Sequence, residues 1–225
     1  MRKSLTIAAV LSMVLVTGTA QAAPYRTAQA TSSSAGHFSL LGGQTVANGT
    51  DVVSVEAGWP GVSFGLTHGT SATSDMGVKF DLLYAVESMT VNNQFGIGLR
   101  APFRFMLARK DKLSLLVHLD PGIKLYTSSP VAFGLQLPVG LTAGYDLNPN
   151  VVIGFGVDLP MTLFVTPSPV TFYIAPMFGP AIEFHPDKQL LIGLNTRFGP
   201  VIAANSFGSG SQFGFVTQAV VGYKL

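Results

Sequence analysis

Two histidines in the chain each lie two residues from a carboxylate, a spacing at which an acid can orient an imidazole. The pairs are His118 with Asp120 and His185 with Glu183, and Ser114 precedes His118 by four residues. Hydrolase sites bring a nucleophile, a base and an orienting acid within hydrogen-bond reach. A hydrolase that uses a His/acid pair is therefore one hypothesis for this chain.

A larger set of charged residues favours an ion network over catalysis. Asp81, Arg100 and Asp120 fall on three successive stretches, and side by side they would place an arginine between two carboxylates, a well-paired arrangement. An unpaired charge in a narrow interior is costly. We predict that one network fills and neutralises the interior and that it comprises Lys79, Asp81, Arg100, Arg104, His118, Asp120, Lys124, Asp158, Glu183 and Arg197.

The elements that position these charges are strands. In residues 94–109, Phe95, Ile97 and Leu99 alternate with Gly96, Gly98 and Arg100, and a period of two is typical of a strand. The charged residues take the phase opposite the apolar row. The pattern recurs in residues 76–87, 112–127, 131–147, 151–166, 170–185, 190–205 and 213–225, less regularly in 52–68, and in a short stretch at 37–46.

These stretches are too long for a soluble sandwich. Residues 131–147 alternate over 17 positions, whereas strands of soluble sheets have about 5–6 residues. An apolar row of this length suits a sheet whose outer face meets lipid and whose inner face is polar. We predict an all-β fold, a closed antiparallel up-and-down transmembrane β-barrel over residues 37–225, with ten strands and eight as the alternative.

Prolines near the middle of most stretches allow another interpretation, in which each proline marks a turn and the strands are shorter and nearly twice as many. The inner and outer phase, however, continues through Pro102, Pro121, Pro138 and Pro160, which independent strands would have no reason to preserve. The phase slips only at residues 58–61, where we expect a bulge.

Apolar aromatic residues on the outer phase fall near both ends of the strands. Two aromatic girdles are typical of a barrel anchored at both membrane interfaces. The first predicted girdle comprises Tyr84, Phe95, Phe133, Phe172 and Phe213, and the second comprises Phe105, Tyr145, Phe184 and Tyr223.

The first 22 residues predict secretion. Arg2 and Lys3 precede an apolar run, and Ala20-Gln21-Ala22 is a small-residue cleavage site. This pattern predicts that residues 1–22 are a cleaved signal peptide for Sec-type export. Residues 23–36 read as a flexible periplasmic leader. Of the 13 basic residues only Arg2 and Lys3 are removed, which leaves 11 basic against 11 acidic residues. This balance gives no support for a nucleic-acid partner.

The chain resembles small Gram-negative outer-membrane β-barrel proteins of the OmpA-like and OmpW-like class. The resemblance rests on the signal peptide, on the alternating strands and on the apolar alternation at the end of the sequence, at Ala219, Val221, Tyr223 and Leu225. The resemblance covers residues 37–225. It implies the outer membrane as the location, membrane lipid as a partner, and recognition of the last strand by the barrel assembly machinery. In that class the chain usually ends in Phe or Trp, whereas this one ends in Leu225.

The resemblance leaves the role of the interior open between a structural filling and a narrow, porin-like passage for a small polar solute. The inner phase of two stretches is rich in glycine, at Gly134, Gly140, Gly144, Gly154 and Gly156, and such a wall could face the charged wall across an aqueous gap. We then expect an arginine to be tolerated better at Gly140 than at Phe155 on the outer face.

No cofactor, metal site or enzymatic activity is predicted. Residues 96–101 match a dinucleotide fingerprint by letter, but that motif needs a strand-to-helix turn and here it lies within a strand. The four histidines are scattered and the chain has no cysteine, so neither supplies the clustered ligands of a zinc site.

Overall fold

A computed structural model describes residues 37–89, 94–127, 131–166 and 169–225. The predicted signal peptide (residues 1–22) and leader (residues 23–36) lie outside these ranges. The described chain is all-β and contains no helix. Its strands are β1 (Asp51–Trp59), β2 (Gly61–Gly69), β3 (Ser74–Leu83), β4 (Gly96–Arg100), β5 (Phe103–Lys110), β6 (Leu113–Leu119), β7 (Gly122–Tyr126), β8 (Ala132–Gln136), β9 (Val139–Asn148), β10 (Val151–Leu159), β11 (Met161–Val165), β12 (Thr171–Ile174), β13 (Met177–Phe184), β14 (Leu190–Asn205) and β15 (Gly208–Lys224).

All fifteen strands belong to one antiparallel sheet that closes on itself. Its order is β12, β11, β8, β7, β4, β3, β2, β1, β15, β14, β13, β10, β9, β6, β5. Two more pairings, β3 with β5 and β12 with β14, connect both ends of this order back to its interior. Each of these two pairings closes a ring of ten strands, and both rings contain β3, β2, β1, β15 and β14. The path that leaves out β2, β1 and β15 is a ring of twelve strands.

The two faces of the sheet differ in polarity, with the apolar face exposed. In β13, Glu183 is 1% exposed, whereas its neighbours Ile182 and Phe184 are 45% and 46% exposed. Alternate side chains of a strand point to opposite faces. Polar and charged side chains therefore point into the ring, and the large apolar side chains cover its outside.

Prolines interrupt five of the predicted strands without changing their register. Lys79 of β3 pairs with Arg100 of β4, and Asp75 of β3 pairs with Arg104 of β5. The stretch from Asp75 to Lys79 on β3 thus matches, residue for residue, the stretch from Arg100 to Arg104, which spans the break between β4 and β5. The missing N–H of proline explains the interruption, because proline cannot donate to the ladder. The breaks separate β4 from β5, β6 from β7, β8 from β9, β10 from β11 and β12 from β13, at Pro102, Pro121, Pro138, Pro160 and Pro176.

Two predicted strands near the start of the described chain are wrong. Residues 52–68 form a hairpin of β1 and β2, in which Ala57 pairs with Val62. The phase slip at 58–61 is therefore a turn rather than a bulge. Residues 37–46, which we call the inner segment, form no strand. Phe38 and Val46 are buried in an apolar cluster with inward residues of the sheet, so the short apolar pattern reflects packing inside the ring.

Short polar turns connect the strands at one end of the ring. In the β13–β14 turn, Asp187 Oδ1 accepts hydrogen bonds from the backbone N–H groups of Gln189 at 2.7 Å and Leu190 at 2.8 Å. These two donors hold the pKa of Asp187 below its ordinary value, because they favour the charged carboxylate. Asn148 makes a similar bond to the N–H of Asn150 in the β9–β10 turn.

Candidate functional site inside the ring

The ten residues of the predicted network all lie buried or half-buried on the inner side of the sheet. The structure does not join them into one network. Six of them form what we call the charge belt, two hold the inner segment, one holds a turn at the other end of the ring, and Lys79 pairs with Glu56 at 2.5 Å. The charge belt consists of Asp81, Arg100, Asp120, His118, Asp158 and Arg197.

The first half of the charge belt is centred on Arg100 of β4. Its guanidinium donates to both carboxylate oxygens of Asp81 on β3, at 2.7 and 2.6 Å. The hydroxyl of Ser63 on β2 also donates to Asp81, at 2.6 Å. On the other side, Arg100 lies 3.5 Å from the carboxylate of Asp120. The arginine thus bridges two carboxylates that come from different parts of the sheet.

The second half of the charge belt continues through His118 of β6. Its Nδ1 lies 3.6 Å from Asp120 and its Nε2 lies 2.8 Å from Asp158 of β10. Arg197 of β14 donates to the second oxygen of Asp158 at 2.6 Å and to the carbonyl of Gly179 at 2.8 Å. The belt therefore crosses the interior from β3 to β14, and each of its charged groups faces an opposite charge.

Arg104 and Glu183 bind the backbone of the inner segment. One oxygen of Glu183 accepts the N–H groups of Leu40 and Leu41 at 2.7 and 2.5 Å. Arg104 donates to the carbonyls of Ser39 and Leu40, both at 3.0 Å. These bonds satisfy backbone groups that have no partner in a strand, which is how an irregular segment can be buried.

Asp75 completes this anchor, although the predicted network omits it. Its carboxylate accepts two bonds from Arg104, at 2.7 and 2.6 Å, and one from the N–H of Val46 at 2.7 Å. Asp75 is 2% exposed. In the sequence it precedes the predicted strand 76–87 by one residue, so the alternation did not include it.

Arg109 is also missing from the predicted network, because it breaks the alternation. The register between β5 and β6 shifts between Met106 and Ala108, and this bulge turns Arg109 to the inner face. There it donates to Asp146 at 3.1 Å and to the side chain of Gln44 at 2.7 Å. The sequence did contain one indication of this pair, because Asp146, the partner of Arg109, has the inward phase in residues 131–147.

A second irregular segment lies within the other end of the ring, and we call residues 84–89 the inner turn. Glu87 of this turn accepts hydrogen bonds from Lys124 at 2.6 Å and Thr162 at 3.0 Å. The hydroxyl of Tyr126 donates to the carbonyl of Ala85 at 3.0 Å. Val86 and Met89 pack into an apolar cluster with Tyr126, Phe164, Ala175, Met177 and Val201.

The glycine-rich wall is covered by side chains and backbone and does not border an aqueous gap. A β-carbon at Gly140 would collide with His118 and Asp158, and one at Gly156 would collide with Arg197. Gly144 lies against Gly43 of the inner segment. The glycines thus make room for the charge belt and the inner segment. The structure argues against the expectation that an arginine is better tolerated at Gly140.

The two His/acid pairs do not assemble a nucleophile and a base. Both ring nitrogens of His118 face carboxylates, while the hydroxyl of Ser114 donates to the carbonyl of Gly144 at 3.3 Å. His185 Nε2 lies 3.9 Å from Glu183, and both of these residues are 1% exposed. Neither arrangement leaves a histidine nitrogen open to a substrate.

Between the inner segment and the inner turn lies a cavity of about 250 Å³. Leu40 and Gly42 border it on one side, Ala85 and Glu87 border it on the other, and the charge belt lines its wall. Among the described residues, Gln136 Nε2 is buried without a hydrogen-bond partner and Gln136 lines this cavity. The described interior therefore contains a chamber that has the charge belt in its wall and a chain segment at each end.

Other features of the described residues add no further site. In the ranges given above, no group of three or more acidic or histidine side chains could hold a metal ion. No helix in those ranges is long and apolar enough to cross a membrane. Comparison with known protein families and with curated proteins gives no match.

Proposed function

We propose that the chain is an integral outer-membrane β-barrel with a structural or narrow solute-passage role, and that the conformation described is its closed state. The observation that carries the proposal is the reversed polarity of the sheet. Forty-one large apolar residues of the described chain are exposed, while eighteen polar or charged residues are buried. Soluble proteins seldom expose apolar patches above a few hundred Å², whereas a barrel in lipid requires this distribution.

The register supports a barrel of ten strands. Pairing continues unchanged across each proline break: β10 and β11 face β13 and β12 in one register, as Val157 with Phe178 and Met161 with Ile174 show. Each interrupted pair then acts as a single transmembrane strand. The hairpin of β1 and β2 adds one strand to the predicted count, and the inner segment removes one. The number of strands therefore stays at ten, although the stretches that form them differ from those predicted.

The aromatic residues support two interfaces. All nine residues of the predicted girdles are exposed, with fractions between 39% and 61%. Tyr145, Phe184 and Tyr223 lie close to the polar turns at one end, and Phe133 and Phe172 lie beside the connections at the other end. Amphipathic and aromatic side chains at the two levels of the lipid headgroups would hold the barrel in register with the membrane.

The two ends of the chain support the route to this membrane. Residues 1–22 have the pattern of a signal peptide for Sec-type export. In β15, Val221 and Tyr223 are exposed in alternation, and Leu225 follows them at 69% exposed. Such an alternating apolar row is what the barrel assembly machinery would recognise, and membrane lipid would then cover it.

The contents of the ring favour a closed interior over an open pore. The inner segment and the inner turn occupy its two ends, and the charge belt crosses the space between them. Barrels of about eight strands are largely filled by side chains, and this one adds chain segments to that filling. Passage of a small polar solute would require one of the segments to move. The alternative of a barrel hydrolase gains no support from His118 or His185.

Reconstitution tests the proposal. Refolded protein should float with phosphatidylcholine vesicles after an alkaline wash, and its electrophoretic mobility in cold SDS should change on heating. A monodisperse protein that stays in buffer without detergent would overturn the proposal. Planar bilayer recordings then separate the two roles, because a structural barrel predicts no conductance and a narrow passage predicts small, infrequent steps.

A further inference from the structure

We propose that the inner turn is a lid, held closed by Glu87, whose opening admits a small polar solute to the chamber. This inference rests on the proposed barrel and assigns the movable closure to one of its two ends. The turn combines a charged side chain, a strained backbone and apolar contacts.

The backbone of the inner turn is strained. Glu87 and Ser88 are adjacent non-glycine residues with φ angles of 48° and 65°. Residues with a side chain avoid this left-handed region, and they persist there only when surrounding contacts hold them. Strain of this kind is concentrated in switch segments and ligand clamps. The inner turn therefore stores conformational energy that opening would release.

Glu87 supplies the contact that opposes this strain. Its side chain is 4% exposed, and its carboxylate meets the ammonium of Lys124 at 2.6 Å and the hydroxyl of Thr162 at 3.0 Å. A buried carboxylate that loses its counter-ion is strongly destabilised where it is. Breaking the pair with Lys124 would thus favour a conformation in which Glu87 reaches water.

The inner segment is the more firmly held closure. Glu183, Arg104 and Asp75 bind its backbone at five atoms, and a β-carbon at Gly43 would lie 2.6 Å from the carbonyl of Ser114. In the described chain Glu87 is the only ionised side chain of the inner turn, and its other bonds are made by neutral groups. Phe215 N–H donates to the carbonyl of Ser88 at 3.2 Å, and Met89 pairs with Gly214 of β15. Movement is therefore assigned to the inner turn.

The chamber behind the lid suits a small polar solute. Its volume of about 250 Å³ lies below the roughly 300–1,000 Å³ of pockets for drug-sized ligands. Gln136 Nε2 and Asn195 Oδ1 are a donor and an acceptor without partners in the described chain, and both residues line the chamber. A solute that carries both a hydrogen-bond acceptor and a donor would satisfy them.

The chain is well suited to a direct test, because it has no cysteine and a single tryptophan. Thr142 is 5% exposed and lines the chamber, so T142C places one thiol there. Trp59 Nε1 donates to the carbonyl of Ser88 at 3.3 Å, and its ring contacts Tyr84. Its fluorescence therefore reports the position of the inner turn.

The experiment measures the rate at which a small cationic methanethiosulfonate labels T142C in vesicles. Adding Lys124→Met should raise the rate at least tenfold and shift Trp59 emission to the red. Adding Lys79→Met, which removes an equal charge from a pair away from the turn, should change the rate less than twofold. Ser88→Gly relieves the strain of the closed turn and should slow labelling about threefold.

Vesicle flotation of each variant is measured first. Failure of T142C itself to enter vesicles would count against the proposed barrel. Normal insertion with equal labelling rates in the Lys124→Met and Lys79→Met variants would overturn the lid. Faster labelling with Ser88→Gly would also overturn it, because a strained closed state predicts the opposite sign.

Discussion

Arg100 donates two hydrogen bonds to the carboxylate of Asp81 across neighbouring strands, at 2.7 and 2.6 Å, and it faces Asp120 on its other side. The side chain of Asp81 is 4% exposed and that of Arg100 is 19% exposed. The pair is therefore removed from most of the solvent screening that makes surface ion pairs weak. It makes the stability of the sheet depend on charges in its interior.

Replacing one member of this pair should cost more than replacing both. Arg100→Met leaves Asp81 buried without its counter-ion, and we expect a loss of about 3–5 kcal/mol in the free energy of unfolding. The double variant Arg100→Met with Asp81→Leu should recover part of that loss. Denaturant unfolding in detergent micelles measures both, with exposed Lys110→Met as the control. The single variant Asp81→Leu is measured as well. If the double variant loses as much stability as Arg100→Met and Asp81→Leu added together, a direct interaction between the two side chains is contradicted.

Charge on the outer face should be tolerated only away from the middle of the strands. Phe155 lies at the centre of β10 and is 49% exposed, so Phe155→Arg should reduce membrane stability by about 2–4 kcal/mol. Phe207, which is 81% exposed in the β14–β15 turn, provides the same substitution outside the strands, and Phe207→Arg should cost less than about 1 kcal/mol. Equal losses in vesicle unfolding would count against a lipid-facing Phe155.

The seating of the inner segment should depend on Gly43. In Gly43→Ala the new methyl group would press on the carbonyl of Ser114 and the N–H of Gly144, and overpacking of this kind costs about 1–3 kcal/mol. Faster hydrogen exchange at the amides of Leu40 and Leu41 would reveal the displacement. Gly210, which has open space around it, gives the control Gly210→Ala. Unchanged exchange in Gly43→Ala would show that the segment can shift without loss of its anchors.

Asp187 should make one turn sensitive to acid. Its pKa is lower in the folded chain than the ordinary value of 3.8, so its contribution is complete above that value and is lost as the pH falls through the folded pKa. The stability difference between the natural protein and Asp187→Ala should therefore shrink in acid. Asp187→Asn keeps an accepting oxygen and cannot titrate, so its difference from Asp187→Ala should stay constant with pH.

The sequence predicted the faces of the strands better than the path of the chain. Alternation assigned Glu183 inward and Phe184 outward because that pattern is local, and the same pattern placed all ten residues of the predicted network on the inner face. It could not show that Glu183 binds Leu40 and Leu41, since that contact joins residues more than 140 positions apart. The inner segment resembled a strand because its apolar side chains pack inside the ring. Arg109 was missed because a bulge reverses its phase.

The connection between the inner segment and β1 has a consequence for the order of assembly. β1 follows that segment directly, and the sheet closes where β1 pairs with β15, from Val52 with Lys224 to Trp59 with Thr217. We therefore expect the inner segment to take its place inside the ring before β15 pairs with β1. A chain that lacks its final strand would be unable to enclose its own beginning.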